Sequence, residues 1–360
     1  MAGEQLVIKV GTNVLTRPNQ QLDYNVIHQI VEQLGALHRQ KHRIVLVTSG
    51  AVGAAYGLGD FSREHTDLVQ RQMKSAAGQP RLMQIYTDFC REQNIAVAQA
   101  LLTRTDFSDR QRYLNIRNVI DGLLRMGLLP IINENDVVAN DALTFGDNDY
   151  LSAAVASMIG ADRLFLLTSA QGFFLGGDPL RNPKARRIET VERISPEMWT
   201  SCEASLTAGG RGGMLSKLKA VEMATGFGIR AYVASGKEPD IVPRIIAGES
   251  LGTEFHPTRK RPRSYRQWLH FASLTSGRIV VDDGAQGALR NNKSLLPAGI
   301  ARIEGDFNAG DIVEIYNARE EKLGVGLVSY SAGELTRIVD GDAGRSRGQE
   351  AIHRDRLLLI

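Results

Sequence analysis

The sequence predicts an α/β fold, with βα units laid around a mostly parallel sheet, followed by a small β-rich domain of the barrel type. Three observations predict it. Over roughly the first 250 residues, short β-branched runs alternate with longer amphipathic ones. Past about residue 255 that alternation gives way to a basic stretch and then to short strand-like runs punctuated by glycine. The length of 360 residues also exceeds the size at which a single core keeps growing, so two domains are expected.

In the first part, strands are expected at Leu6–Val10, Ile44–Thr48, Val97–Leu102, Leu129–Ile132, Leu164–Thr168 and Ile229–Ala234. Helices fill the gaps. The clearest starts at the candidate N-cap Asp23 and sets Val26, Ile27, Ile30, Val31, Leu34 and Leu37 on one face, the spacing of a core-facing helix. Between Glu254 and Asp282 there is no acidic residue, while Arg259, Lys260, Arg261, Arg263, Arg266 and Arg278 are basic, which reads as a linker. The later strands are expected at Arg278–Val281, Ile300–Ile303, Asp311–Tyr316 and Lys322–Ser329. The expected division is a catalytic domain over 1–255, a basic linker over 256–275 and a small barrel over 276–360.

Composition narrows the function classes. An apolar fraction of 43% and a charged fraction of 23% are ordinary globular values. The 43 basic and 40 acidic residues leave a net charge of +3, too small a surplus for nucleic-acid binding by the chain as a whole. Cys90 and Cys202 form no CxxC pair, so neither a disulfide framework nor a zinc site is supported, and a reducing compartment is expected. Met1 to Val10 lacks a signal-peptide pattern and no apolar run approaches the roughly 18 residues that span a bilayer. A cytoplasmic location with no membrane partner is therefore expected.

Open α/β sheets bind ligands beyond the carboxyl ends of their strands, and polar residues and glycine gather there. The familiar nucleotide and hydrolase motifs are missing: no GxxxxGK[ST], no strand followed by GxGxxG, no HRD or DFG, no HExxH and no GxSxG. Four other segments are candidates. Lys9, before Val10-Gly11-Thr12, suits a cation held beside a moving phosphoryl group, or is a surface lysine at a strand end. Thr48-Ser49-Gly50-Ala51 suits an anion cradle or an ordinary N-cap. Asn133-Glu134-Asn135-Asp136 with Gly146-Asp147-Asn148-Asp149 suits a substrate ammonium, a hydrated Mg²⁺ or the orientation of lysines; as a plain alternative it forms Asx turns. Gly209-Gly210-Arg211-Gly212-Gly213-Met214-Leu215-Ser216-Lys217 suits a loop closing over nucleotide phosphates, or a surface loop.

In this order, the segments resemble the amino acid kinase family. The residues that carry the resemblance are Val7 through Thr16, Val47 through Ala51, Gln99 through Thr105, Ile131 through Asp136, Phe145 through Asp149 and Gly212-Gly213-Met214. Each piece is weak alone, and the ordered set is specific. The C-terminal part, with Val280-Val281-Asp282, Lys293 through Gly299 and Gly310-Asp311, is similar to a PUA domain.

The resemblance implies a three-layer αβα sandwich with a mostly parallel central sheet, plus a PUA-like barrel. It implies ATP-dependent phosphorylation of the side-chain carboxylate of L-glutamate, the first step of proline synthesis, with Mg²⁺ accompanying ATP. By the same resemblance Lys9 and Lys217 contact the phosphates and Asp149 holds the lysines, while Ser49, Asp136 and Asn148 bind glutamate with Asn133 and Asp147 in support. ATP would lie against Lys9, Thr168, Ser169, Arg211, Gly212, Gly213, Met214, Leu215, Ser216 and Lys217. Two positions depart from the family's usual pattern: Ser169 stands where Asp is common, and Arg211 where Thr is common.

The resemblance further implies a homo-oligomer, dimer or tetramer, with proline as a feedback inhibitor and weak RNA binding through the PUA-like domain. The rivals are a kinase of the same fold acting on aspartate, acetylglutamate, carbamate or a nucleoside monophosphate, and an RNA-binding protein whose working parts are the small domain and the basic linker.

Overall fold

Val, Ile and Leu runs flanked by glycine and polar residues set the strands, and amphipathic stretches between them set the helices. A computed structural model describes residues 3–58, 68–138, 148–177, 179, 182–203, 213–258, 277–340 and 350–359. Along the chain the strands are β1 (Gln5–Val10), β2 (Arg43–Thr48), β3 (Val97–Leu102), β4 (Leu129–Glu134), β5 (Arg163–Thr168), β6 (Phe173–Leu175), β7 (Arg186–Ile188), β8 (Thr190–Val191), β9 (Arg230–Ser235) and β10 (Thr253–Phe255). They continue with β11 (Gly277–Val281), β12 (Ile300–Gly305), β13 (Ile312–Asn317), β14 (Lys322–Leu327) and β15 (Leu357–Leu359). The helices are α1 (Thr12–Leu15), α2 (Tyr24–Arg39), α3 (Ala51–Ala54), α4 (Leu68–Glu92), α5 (Arg104–Ser108), α6 (Arg110–Arg125), α7 (Asn148–Ile159), α8 (Pro196–Glu203), α9 (Met214–Gly226), α10 (Ile241–Ile246), α11 (Asp283–Arg290) and α12 (Ala332–Asp340). The chain divides into two compact units, 1–106 with 114–261, and 107–113 with 262–360.

The larger unit is built on an eight-stranded sheet in the order β3-β4-β2-β1-β5-β9-β10-β8. Its strands pair in parallel except β9 with β10, which run antiparallel. The six strands read from the sequence are all present. Those it did not reveal, β6, β7, β8, β10 and β15, have two or three residues each, too few for a period-two pattern to register.

β1 is buried along its whole length, as a central strand covered on both faces should be. Leu6, Ile8 and Val10 point into a core formed with Ile27, Ile30, Val31, Leu34 and Leu37 of α2 and Leu82, Ile85 and Tyr86 of α4. The intervening residues Gln5, Val7 and Lys9 face α7. Gln5 Nε2 donates to the Ile159 carbonyl at 2.8 Å, and Lys9 Nζ meets Asp149 Oδ1 at 2.5 Å. Four strand residues rise about 13 Å and ten helical residues about 15 Å, so the two contacts hold α7 antiparallel along one face of β1. The N-cap of α2 is Asp23, whose side chain accepts from Asn25 N, as the periodicity predicts.

The smaller unit carries a mixed five-stranded sheet in the order β12-β11-β13-β14-β15. β11 pairs in parallel with β13 and antiparallel with β12, and β14 pairs antiparallel with β13 and β15. Ile279, Val281, Val313, Ile315, Val328 and Leu335 form its own core with Leu289, Phe307 and Ile352. Of the basic linker expected over 256–275, residues 259–275 lie outside the described residues. No described helix is long and apolar enough to cross a membrane.

Candidate active site

The described polar residues among those singled out in the sequence lie at the carboxyl ends of β1, β2, β4 and β5 and at the N-terminal turns of α7 and α9. Lys9 sits one residue from the end of β1, Asp149 in the first turn of α7 and Lys217 in the first turn of α9. Asp149 has no exposed surface, and Lys9 and Lys217 are buried with it. Its Oδ1 meets Lys9 Nζ at 2.5 Å, and its Oδ2 accepts from Lys217 Nζ at 3.0 Å and from Ser216 Oγ at 2.9 Å. Charges removed from water are retained only when paired and hydrogen-bonded, and the carboxylate holds two ammonium groups on opposite oxygens. Lys9 is thus no surface lysine at a strand end, and Asp149 is no turn residue.

Beside this clamp stands a group of amides and hydroxyls. Asn148, the residue before Asp149, directs Nδ2 to the Thr48 carbonyl at 2.8 Å, to Ser49 Oγ at 2.9 Å and to Asn133 Oδ1 at 2.9 Å. Gly50 has φ of 101°, a left-handed turn open to glycine, and this sharp bend out of β2 carries Ser49 past the strand end. Asp136, just beyond β4, accepts from Ser75 Oγ at 2.7 Å and lies 3.5 Å from Arg71 Nη2.

Helix α4 supplies partners that the sequence reading missed. Its buried stripe runs Ser75, Gln79, Leu82 and Tyr86, so polar residues occupy positions that helical spacing assigns to core. Ser75 bonds Asp136, Gln79 Oε1 accepts from Asn133 Nδ2 at 2.9 Å, and the Tyr86 hydroxyl lies 2.8 Å from Thr48 Oγ1. That polar interruption of an apolar stripe was the available signal. Burial pushes the Tyr86 phenol upward, outweighing its hydrogen bond to Thr48, so it stays neutral and able to donate. The helix lies tight on the turn: a Cβ at Gly78 would come 1.9 Å from the Ala51 carbonyl oxygen.

Of the other residues named from the sequence, Thr168 ends β5 with Ser169 exposed beyond it, and Gly213, Met214, Leu215 and Ser216 lead into Lys217 at the start of α9. Asp147, Arg211 and Gly212 lie outside the described residues. Among the described residues, no group of three or more His, Cys, Asp or Glu side chains is placed to hold a metal ion.

Comparison with known proteins agrees with this geometry. Residues 4–235 match the amino acid kinase family and residues 277–347 match the PUA domain. Over 367 residues, spanning 99% of this chain and 100% of the relative, the sequence is 40% identical to a glutamate 5-kinase from Deinococcus radiodurans. It is 37% identical over 364 residues to a glutamate 5-kinase from Thermoanaerobacter sp. strain X514, covering 99% and 98% of the two chains. In fold, a carbamate kinase from Giardia lamblia bound to AMP-PNP superposes with a TM-score of 0.51 at 18% identity, over 71% of this chain and 99% of that one. With a lysine–aspartate–lysine clamp at the strand ends of a mostly parallel sheet, and with matches along nearly its full length, the chain belongs to the amino acid kinase family.

Proposed function

We propose that this chain transfers the γ-phosphoryl group of ATP to the side-chain carboxylate of L-glutamate, giving γ-glutamyl phosphate and ADP as the first step of proline synthesis. The observation that carries the proposal is the buried clamp in which Asp149 holds Lys9 and Lys217, next to the Ser49, Asn133, Asn148 and Asp136 group. A carboxylate oxygen of glutamate attacks the γ-phosphorus in line, and the bond to the β–γ bridging oxygen breaks as ADP leaves. The acceptor is ionised at neutral pH and needs no base. Catalysis then consists of positioning and charge neutralisation, the work suited to two lysines fixed on either side of one carboxylate.

In this reading Lys9 and Lys217 contact the transferred group and Asp149 sets their separation. Ser49, Asp136 and Asn148 bind glutamate, supported by Asn133 and Asp147, and ATP lies along Thr168, Ser169 and the segment from Arg211 to Lys217. Asp149 is engaged by the two lysines and Ser216, so a Mg²⁺ accompanying ATP would be held chiefly by the nucleotide and not by this carboxylate. When bound, the ion would neutralise negative charge on the phosphates of ATP.

The same reading takes residues 1–255 as the catalytic domain, 256–275 as a linker and 276–360 as the PUA-like domain. It places the enzyme in the cytoplasm as a homo-oligomer, dimer or tetramer, with proline competing in the glutamate pocket. The RNA-binding reading has less support. On the small sheet Arg278 and Arg302 are each paired with Glu304 and Glu320, and Lys322 with Glu314, so these three cations are already matched by carboxylates.

An acceptor panel tests the proposal. With ATP and Mg²⁺, kcat/KM for L-glutamate should exceed that for aspartate, acetylglutamate and uridine monophosphate by a factor of about 100 or more. Turnover that prefers another acceptor would reassign the substrate within the family.

A further inference from the structure

Gln79 lies on α4, outside every segment that the sequence motifs singled out, and its side chain is 8% exposed. It ends a chain of three amides. Asn148 Nδ2 donates to Asn133 Oδ1, and Asn133 Nδ2 donates to Gln79 Oε1, both at 2.9 Å. Asn133 Oδ1 also accepts from Glu134 N at 2.9 Å, and the far end of the chain, Asn148 Nδ2, reaches Ser49 Oγ and the Thr48 carbonyl.

A side-chain amide has two nearly isosteric orientations that exchange donor for acceptor, so a chain of amides needs fixed groups to choose its direction. The Thr48 carbonyl and the Glu134 N–H are such groups. With Asn133 Oδ1 fixed by the Glu134 N–H, Asn133 Nδ2 needs an acceptor on its other side, and Gln79 Oε1 supplies it. Reversing Asn133 would set its NH₂ against the NH₂ of Asn148 and against Glu134 N–H, and release Asn148 from its place beside Ser49.

Two further observations favour function over packing. Gln79 Nε2 is buried with no hydrogen-bond partner among the described residues, an arrangement that an apolar side chain would avoid. Gly78 presses α4 against the Ala51 carbonyl, which fixes the height of Gln79 relative to the Thr48–Ala51 turn. We propose that Gln79 is a positioning residue for the amino-acid substrate: it orients Asn133, and through Asn133 it holds Asn148 and Ser49 in the arrangement that receives glutamate. This rests on the reading that those residues form the glutamate site.

The test is a double-mutant cycle on the full chain, with KM for glutamate and for ATP measured separately. Gln79→Met keeps size and removes the acceptor; it should raise KM for glutamate about tenfold while KM for ATP and kcat stay within about twofold. Ser49 does not touch Gln79. In a Ser49→Ala background, the further effect of Gln79→Met should nevertheless shrink to about threefold or less, because the chain between them has already lost its end. Gln79→Asn, one methylene short of Asn133, gives the same readout should the methionine variant not fold. Equal changes in both KM values, or fully multiplicative effects of the two substitutions, would overturn the role of Gln79 while glutamate turnover by the unsubstituted chain persists. Absence of that turnover would overturn the functional reading and this role together.

Discussion

Lys9 Nζ and Asp149 Oδ1 lie 2.5 Å apart, joining the end of the central strand to the first turn of α7 with almost no exposed surface on either side chain. The other oxygen of Asp149 carries Lys217, so one carboxylate sets the spacing of both ammonium groups. Asp149→Asn keeps the shape and removes the charge, leaving two buried cations against a neutral amide. The expected result is a stability loss of about 3 kcal/mol or more in urea unfolding, with turnover near background.

Lys9→Met and Lys217→Met separate chemistry from binding. On the proposed roles, each removes one cation from the transferred group while glutamate keeps its own partners. Each should lower kcat by about 10²–10³-fold with KM for glutamate changed by no more than about threefold. Steady-state kinetics with both substrates varied is the check.

Ser75 lies outside every motif segment, yet its hydroxyl donates to Asp136 at 2.7 Å. Ser75→Ala removes this donor from Asp136, which the proposed function sets against glutamate. A lost hydrogen bond of about 1 kcal/mol corresponds to a rise of about fivefold in KM for glutamate, with KM for ATP unaffected.

Burial pushes the Cys90 thiol up to about 12. At pH 8 only about one native molecule in ten thousand carries the thiolate, so Ellman's reagent should modify Cys90 only on unfolding. The sign of the linkage follows from the raised value: the unfolded thiol ionises from about 8.5, so the stability tied to Cys90 is complete below that pH and is lost as pH climbs toward 12. Urea midpoints should therefore fall less between pH 8 and pH 10 in Cys90→Ala than in the unsubstituted chain.

What the sequence made legible was whatever local pattern encodes. Six parallel strands, the helix capped by Asp23 and the placing of Lys9, Ser49, Asn133 and Asp136 at strand ends follow from hydrophobic period and from where polar residues interrupt it, whereas the link to Asn148 and Asp149 came from the family resemblance. Two things did not follow. The short strands β10 and β8 owe their existence to the pairing of β10 with β9 and of edge strand β8 with β10, a tertiary effect with no local period. The contribution of α4 was hidden because Ser75 and Gln79 are ordinary helical residues until the strand ends are brought opposite them. Only in three dimensions do they become the partners of Asp136 and Asn133.

The most direct test of the central claim is ADP release by the purified chain with ATP, Mg²⁺ and L-glutamate in the presence of hydroxylamine, which traps acyl phosphates as hydroxamates. The account predicts glutamate-dependent ADP release matched by γ-glutamyl hydroxamate, abolished in Lys9→Met. ADP release without hydroxamate, or hydroxamate formed on the α-carboxylate, would contradict it.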